Sequence, residues 1–380
     1  MKEVKSLTSY ETFDATKLKL VLEKIASRAS ECEHDPEGPK VEFQWLNECG
    51  ALAAVLPGGE MDFNKSHTGQ LLKLLKDIGK ANLSVGRIFE GHINALYLIH
   101  LFAEQEQREK WYTEVRDFGY LFGVWNTQTN DGILFTENER FLKIEGSKTF
   151  CSGATLVDRA LITGNISLLH RTGWQMAIID MKQIDRSKID RESWKTLGMK
   201  ASGSYKVDFS GYEIYEEELL SIPGFYLRQP YFSGGAIRFA AVQLGGAEAI
   251  ATHTLAYLKN LDRTSDPIQQ LRISNMMAQL VSGRMWLDRA ATHYDTWANS
   301  AAEDEALIAF ANMTRVSIED ICLKIMEESN RCVGARGLMH PYPLERIFRD
   351  LSFYLRQPAP DATRLKVAEF FINNNSAFNE

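Results

Sequence analysis

The sequence has few of the residues and patterns that mark several common protein classes. Its five cysteines are odd in number among 380 residues, and they form no Cys-x-x-Cys pair and have no histidine at metal-binding spacing. This usage excludes a disulfide framework and a zinc site, and it favours a reducing compartment. No apolar run approaches the ~18–20 residues of a membrane span, and the first residues lack the apolar segment of a signal peptide. The sequence therefore predicts a soluble, cytoplasmic protein without a bound metal.

The chain also lacks an excess of positive charge. It has 43 Lys and Arg against 50 Asp and Glu, a formal net charge of −7. This balance argues against a nucleic-acid-binding protein that works by neutralising phosphates. It remains compatible with an anionic small molecule, because a local basic pocket can coexist with an acidic surface.

The composition is that of a folded protein with more than one core. Of the residues, 44% are apolar and 11% aromatic, so disorder is not expected. Single hydrophobic cores stop growing at roughly 250–300 residues, and two or three domains are therefore expected. There is no internal repeat and no low-complexity tract.

The hydrophobic period changes twice along the chain. Residues 1–118 have helical spacing, whereas residues 119–226 contain short runs rich in aromatic and β-branched residues. Between these runs, Asn130-Asp131-Gly132 and Glu145-Gly146-Ser147 have the turn chemistry of hairpins. Residues 227–380 return to helical spacing in four segments. The sequence predicts a multidomain α+β fold: an N-terminal all-α domain, a central antiparallel β-barrel or β-sandwich domain and a C-terminal four-helix bundle, with these boundaries.

The first informative motif spans residues 143–154, Lys-Ile-Glu-Gly-Ser-Lys-Thr-Phe-Cys-Ser-Gly-Ala. It resembles the Gly-x-Lys-x-Trp-Ile-Thr-Asn-Gly strand of the acyl-CoA dehydrogenase family, which runs past the flavin ring. The resemblance implies that Phe150 covers the flavin face and that Ser152, in place of a threonine, hydrogen-bonds the flavin edge. The residues alone leave another interpretation open, a hairpin with a buried Phe150 and a surface Ser152.

Two further segments resemble the same family. Residues 194–204 are similar to its Leu-Gly-Met-Arg-x-Ser-x-Thr segment, and residues 334–350 to a stretch that begins Gly-Gly-x-Gly and ends Arg-x-x-Arg-Asp. In the family, the second stretch approaches the flavin dinucleotide of a neighbouring subunit, which implies that Gly334, Ala335 and Gly337 bind the cofactor. A structural ion-pair network is an equally compatible interpretation of the charged residues that follow: Arg346, Arg349 and Asp350.

Weaker correspondences add candidates for cofactor and substrate binding. Trp125, Asn126 and Thr127 look like the flavin-facing strand, although the Gly-Ser-Asp that normally follows is missing. Arg263 stands at a family arginine that contacts the cofactor pyrophosphate. Arg238 matches the helix arginine near the acyl-thioester, and thus the substrate. Each arginine by itself is also compatible with an ordinary surface charge.

The sequence departs from the family at the catalytic base. Removing an α-proton from a thioester needs a positioned carboxylate with a raised pKa. The family's glutamate position falls on Gln357 or Pro358 here, and its alternative position falls on Ile237. Gln357 is thus expected to contact substrate without accepting a proton. The remaining candidates for a base are Asp361, which is near in sequence, and His92, which is equally compatible with core packing.

These features predict a flavin-dependent oxidoreductase, and three activities fit. One is dehydrogenation of an acyl-CoA-like thioester with hydride transfer to FAD. Another is a monooxygenase of the same fold, which uses reduced flavin, often FMN, and oxygen and needs no glutamate base. A third is a homologue that binds flavin or an acyl ligand without catalysis. The resemblance favours the first activity, and it implies a homodimer or homotetramer with a flavin reductase or another electron acceptor as partner.

Overall fold

The computed structural model describes residues 13–138, 141–298, 304–356 and 359–374. Within these residues, helices form both ends of the chain and strands form its middle, which confirms the predicted mixed α+β order. The helices are α1 (Ala15–Cys32), α2 (Lys40–Glu48), α3 (Thr68–Ala81), α4 (Leu83–Phe102), α5 (Gln105–Phe118), α6 (Tyr231–Gly234), α7 (Ala236–Asn260), α8 (Pro267–Ala298), α9 (Asp304–Gly337), α10 (Leu344–Tyr354) and α11 (Pro360–Asn373). The strands are β1 (Phe122–Trp125), β2 (Leu134–Asn138), β3 (Phe141–Glu145), β4 (Ser147–Cys151), β5 (Arg159–Leu168), β6 (Arg171–Asp180), β7 (Ile189–Asp190), β8 (Tyr205–Asp208), β9 (Glu213–Ile214) and β10 (Leu219–Leu220). None of the helices in these ranges is long and apolar enough to cross a membrane.

The N-terminal helices begin and end at residues suited to those positions. The Asp14 carboxylate accepts hydrogen bonds from the backbone N–H groups of Thr16 and Lys17, both at 2.9 Å, and so caps α1. Asn82 caps α4 through its side-chain oxygen. Gly119, with φ 63°, ends α5 in the left-handed conformation that glycine favours. Because α4 is buried over most of its length, polar residues on it lie in the interior.

The strands form two sheets. The larger has the order β10-β6-β5-β2-β3-β9 with β1 also on β5, and the smaller has the order β4-β8-β7. The prediction of an antiparallel sheet is wrong at two pairs, since β1 and β2 both run parallel to β5. They lie one after the other along β5, which has ten residues and accommodates both. The segment Asn130-Asp131-Gly132 therefore connects successive strands instead of forming the predicted hairpin.

The second predicted hairpin turn is a corner between the sheets. It joins β3 in the larger sheet to β4 in the smaller one. Gly146 at this corner has φ 104°, and a Cβ there would lie 2.4 Å from the carbonyl oxygen of Gly132. Only glycine fits both constraints, so the corner is built into the sequence.

Helix α7 packs against helices from both ends of the chain. The predicted bundle helices correspond to α7, α8, α9 and α11, but α3 also packs along α7. A Cβ on Gly245 would lie 2.1 Å from the carbonyl oxygen of Lys76, and one on Gly79 would lie 2.4 Å from that of Val242. The two helices thus approach to backbone contact. Because this contact joins the predicted first and third domains, the domain boundaries stay a prediction.

The loop before β8 is pressed against α10. A Cβ on Gly198 would lie 2.1 Å from the carbonyl oxygen of Arg349. The backbone N–H of Met199 donates to Asp350 Oδ1 at 2.6 Å. The charged residues of α10 form ion pairs, as the structural interpretation of this stretch predicted: Arg346 with Asp350, and Arg349 with Glu33 and Glu345.

His92 on α4 joins three parts of the fold. Its Nε2 donates to the carbonyl oxygen of Leu52 and its Nδ1 accepts from the N–H of Phe122, each at 3.0 Å. The ring is fully buried, and burial lowers the pKa of His92 to about 4. A neutral imidazole protonated at Nε2 satisfies both bonds. Because backbone groups occupy both nitrogens, the geometry favours the packing interpretation over a catalytic base.

Replacing this histidine tests its structural role. We expect His92→Phe to lower the free energy of unfolding by about 2–4 kcal/mol, since two buried backbone groups lose their partners. The pKa of about 4 lies below the ordinary value of 6.5, so this stabilisation is complete above pH 6.5 and is lost as the pH falls towards 4. Urea denaturation across this range should therefore give a difference from wild type that shrinks at acid pH. A difference that stays constant would contradict the assignment, and His170→Phe at an exposed histidine is the control.

The contact of Gly198 with α10 makes a second prediction. Gly198→Ala should destabilise the protein by about 1–3 kcal/mol, because the added methyl group overlaps the backbone of α10. Gly69→Ala is the matched control, since its nearest neighbour would be the Ala291 Cβ at an ordinary 3.7 Å. Equal melting temperatures for the two variants would mean that the loop does not pack on α10 as described.

Candidate active site

A cavity of about 380 Å³ lies among α4, α6, α7, α9 and α11 and reaches β1. This is the size of a small-molecule site. Aromatic and aliphatic side chains form most of its wall: Tyr97, Leu98, Val124, Tyr226, Tyr231, Phe232 and Phe239. Arg238, which was predicted to bind substrate, also lines it.

A chain of polar contacts runs along the α4 side of the cavity. Arg87 Nη1 donates to Glu90 Oε2 at 2.6 Å. The amide nitrogen of Asn94 donates to the other oxygen of Glu90. Arg238 Nε on α7 donates to Asn94 Oδ1 at 2.5 Å. The three α4 residues lie on one helix face, three and four positions apart, so the helix itself sets up the chain. Both oxygens of the buried Glu90 carboxylate are thus occupied.

Arg238 has neutral neighbours. Its guanidinium carbon lies 4.8 Å from the centre of the Tyr97 ring, and it hydrogen-bonds the Tyr294 hydroxyl. The Tyr97 and Tyr294 hydroxyls are hydrogen-bonded to each other, and burial raises the pKa of Tyr97. In the part of the chain that the structure describes, Arg238 forms no ion pair with a carboxylate. The predicted surface charge is therefore wrong for Arg238, which is buried in the cavity wall.

Sequence reasoning missed Arg315, a second arginine in the cavity wall. Its Nη1 donates to the Thr363 hydroxyl at 2.5 Å, and its guanidinium carbon lies 5.2 Å from the centre of the Phe239 ring. Burial lowers the pKa of Arg315. The pattern that would have found it is a charged residue on the apolar stripe of α9, between Leu307 and Ile318.

The predicted flavin residues of the β-region lie together. Trp125 Nε1 donates to the carbonyl oxygen of Ser152 at 3.1 Å, so β1 meets the end of β4. The Asn126 side-chain oxygen accepts from the Thr163 hydroxyl at 2.7 Å and from Trp174 Nε1 at 3.0 Å. Its amide nitrogen has no partner among the described residues and is available to a ligand. Thr127, the next residue, is exposed.

Ser152 belongs to a chain of serine hydroxyls. Its Oγ lies 2.9 Å from Ser204 Oγ, which lies 2.8 Å from Ser202 Oγ. Ser202 donates to the carbonyl oxygen of Met199 at 2.7 Å. This chain joins the motif at residues 143–154 to the loop that contacts α10. Ser152 is buried, so the interpretation with a surface serine is wrong.

Phe150 is the partly exposed member of the group. Its side chain is 44% exposed, and its φ of 57° lies in the left-handed region that a non-glycine residue rarely adopts. The ring packs edge-on against Trp194, at 5.6 Å between centres. The interpretation with a buried phenylalanine is therefore wrong, and the ring leaves a face open to a ligand.

A buried lysine supports the same strand. The Lys148 ammonium donates to the carbonyl oxygen of Asn126 at 2.9 Å and to the side chains of Gln128 and Thr163 at 2.7 Å and 3.2 Å. It also lies 4.8 Å from the centre of the Trp174 ring. Burial lowers the pKa of Lys148 to about 7. The lysine holds the β1 end of the site in position.

The residues of this strand region fit a flavin. The Thr149 hydroxyl is buried without a hydrogen-bond partner among the described residues, which marks a polar position that a ligand can satisfy. The free amide of Asn126 adds a donor, and the open face of Phe150 adds a surface for a planar ring. A flavin has a planar ring with polar edges, which matches these three features.

The other predicted cofactor residues lie elsewhere. Arg263 follows the far end of the 25-residue α7, roughly 35 Å from Arg238 at 1.5 Å per residue. Gly334 interrupts α9 with φ 59° and ψ −171°, about five turns or roughly 30 Å beyond Arg315. Ala335 and Gly337 belong to the same turn. Within one chain, these residues do not reach the cavity.

The remaining base candidates are not positioned for proton transfer in the cavity. Asp361, in the first turn of α11, is exposed and does not line the cavity, although its neighbours Ala362 and Thr363 do. Gln357 lies outside the described residues. Ile237, at the family's alternative glutamate position, is buried and apolar.

Comparisons with known proteins give a family model and several relatives. Residues 223–355 match the acyl-CoA dehydrogenase C-terminal domain. Dibenzothiophene monooxygenase of Rhodococcus erythropolis is 24% identical over 363 residues, covering 85% of this chain and 85% of the relative. The probable FMNH2-dependent monooxygenase SfnC of Pseudomonas putida is 22% identical over 371 residues, covering 90% of this chain and 91% of the relative.

A solved structure has the same fold. The crystal structure of FMN-bound TdsC from Paenibacillus sp. A11-2 superposes with a TM-score of 0.84 at 20% identity, covering 94% of this chain and 97% of that chain. Another crystal structure of TdsC describes it as a dibenzothiophene monooxygenase. The chain is thus an acyl-CoA dehydrogenase-like protein, with the C-terminal domain of that family in the fold that the family shares with flavin-dependent monooxygenases.

Proposed function

We propose that the protein is a flavin-dependent monooxygenase that uses reduced FMN and dioxygen, and not an acyl-CoA dehydrogenase. The observation that carries the proposal is the state of the carboxylates at the cavity. In the described parts of the chain, Glu90 is the only carboxylate that lines it, and Arg87 and Asn94 occupy its oxygens. A thioester α-proton therefore meets no available base. Oxygen transfer has no such requirement.

The relatives support the same activity. Dibenzothiophene monooxygenase and SfnC are monooxygenases by name, and SfnC is described as FMNH2-dependent. TdsC was crystallised with FMN. Similarity at this level does not carry a substrate over, so the proposal is confined to the reaction type.

The β1 and β4 residues would hold the flavin. Asn126 and Ser152 supply polar groups for the ring edge, Phe150 and Trp125 supply aromatic surface, and Lys148 fixes the Asn126 backbone. Reduced flavin supplies two electrons, so that one atom of dioxygen enters the substrate and the other leaves as water. The apolar wall of the cavity excludes bulk water and keeps the substrate beside the reacting ring.

FMN is the proposed cofactor because the dinucleotide contacts are remote in the chain. An adenosine diphosphate extension would need the Arg263 and Gly334 region, which only a neighbouring copy can bring to the site. A self-association surface is present on α8, where apolar residues are exposed along the helix: Leu271, Met277, Val281 and Met285. We accordingly propose a homodimer or larger homo-oligomer that receives reduced flavin from a separate reductase.

Flavin titration tests the assigned site. We expect FMN to bind at least as tightly as FAD. Ser152→Ala should weaken FMN by about tenfold through loss of one polar contact. Ser187→Ala, at an exposed serine of the β-region, is the control and should leave the dissociation constant unchanged. Tighter binding of FAD by a factor of about ten or more would overturn the FMN assignment.

Labelled oxygen tests the reaction. The protein is supplied with FMN, a flavin reductase, a nicotinamide donor and a panel of aromatic sulfur and nitrogen compounds under oxygen-18 gas. The proposal predicts a product that contains one labelled oxygen atom and that requires both the reductase and this protein. Label that enters only from water, or a product that forms equally without the protein, would contradict it.

A further inference from the structure

The cavity wall carries more positive than negative charge. Arg238, Arg315 and Lys366 line it, and Glu90 is the only carboxylate among the lining residues that the structure describes. Arg87 already neutralises Glu90 at 2.6 Å. The cavity therefore holds cationic groups in excess, in a chain whose net charge is −7.

Arg238 is the clearest case of a buried cation with neutral contacts. Its partners are the Asn94 side-chain oxygen, the Tyr97 ring and the Tyr294 hydroxyl. A Cβ on Gly235 would lie 2.5 Å from Arg238 Nη2, so glycine leaves the space that this nitrogen uses. Burying a charge without an opposite charge is costly, and an anion in the cavity would compensate it.

Arg315 approaches the same cavity from the next helix. Its guanidinium stacks on Phe239, the residue that directly follows Arg238 on α7. Asn312 lies one turn before Arg315 on α9, and Thr363 on α11 accepts its hydrogen bond. Two guanidinium groups with neighbouring hydroxyl and amide groups make an anion-binding wall, because guanidinium donors match the oxygens of a carboxylate or sulfonate.

The rest of the wall suits an aromatic body. Tyr97, Tyr226, Tyr231, Phe232 and Phe239 line the cavity. Aromatic rings bind one another through stacked and edge-on contacts. The cavity thus offers a cationic part and an aromatic part within about 380 Å³.

We propose that the substrate is an aromatic compound with a carboxylate or sulfonate group, and that Arg238 and Arg315 bind this anionic group. The inference rests on the proposed function in taking the cavity as the substrate site. The same chemistry would also attract the phosphate of FMN, so the test separates these two sources of anion.

The first measurement uses the wild-type protein loaded with oxidised FMN. Isothermal titration calorimetry compares naphthoate with its neutral amide, naphthamide. The proposal predicts that naphthoate binds about tenfold more tightly or better, the usual worth of a charge-assisted hydrogen bond. Equal affinity, or tighter binding of naphthamide, would overturn it whatever the variants do.

The second measurement uses variants. Arg315→Gln and Arg238→Lys should weaken naphthoate by about tenfold and change naphthamide by less than about twofold. Arg186→Gln, at an exposed arginine of the β-region, is the control and should change neither. Equal losses for both ligands would overturn the proposal, since they would reflect altered packing.

Flavin affinity separates the phosphate from the substrate. Titration with FMN and with riboflavin, which lacks the phosphate, should give the same ratio of affinities in wild type and in both variants. Selective weakening of FMN would assign the arginines to the cofactor and overturn the substrate proposal. Because these measurements report binding, an absence of oxygen transfer to bound naphthoate would count against the monooxygenase and leave the anion site standing.

Discussion

The organisation of the cavity depends on how the buried Glu90 carboxylate is neutralised. Arg87 occupies one of its oxygens and the Asn94 amide the other. A carboxylate bound in this way is stabilised in its ionised form and has no lone pair directed at a ligand. The arrangement also fixes Asn94 so that its oxygen accepts from Arg238. One ion pair on α4 thereby removes a base from the cavity and leaves a cation facing it.

The flavin-side residues depend on a different connection, the one between the β-region and α10. The Ser152, Ser204 and Ser202 hydroxyls lead to Met199, whose N–H is held by Asp350. Burial raises the pKa of Asp350 to about 6, so this anchor is itself sensitive to its surroundings. Because the three segments that resemble the family meet here, their conserved-looking spacing has a structural cause as well as a functional one.

Local patterns in the sequence predicted the helical ends, the β-region and the importance of residues 143–154. These features follow from period and turn chemistry, which act within a few residues. The parallel pairing of β1 and β2 with β5 was not predictable, because two glycine-containing turns with hairpin chemistry served as a strand connection and a corner. Strand pairing depends on residues far apart in the chain.

The site shows the same division. Arg238 was found through a motif, whereas Arg315 stands in no motif and acquires its place through Thr363 and Phe239, which are distant in sequence. His92 looked like a candidate base until its partners, Leu52 and Phe122, were known. In both cases the long-range contacts of the side chain decide its role, and a single sequence does not reveal those contacts.

The central claim is that the cavity offers no base for acyl-CoA dehydrogenation, and an anaerobic titration tests it most directly. The flavin-loaded protein is mixed with short-, medium-, long- and branched-chain acyl-CoAs while the visible flavin absorbance is recorded. The account predicts that the oxidised flavin spectrum persists with every thioester. Bleaching by any of them, abolished by Glu90→Gln, would contradict the account and identify Glu90 as the missing base.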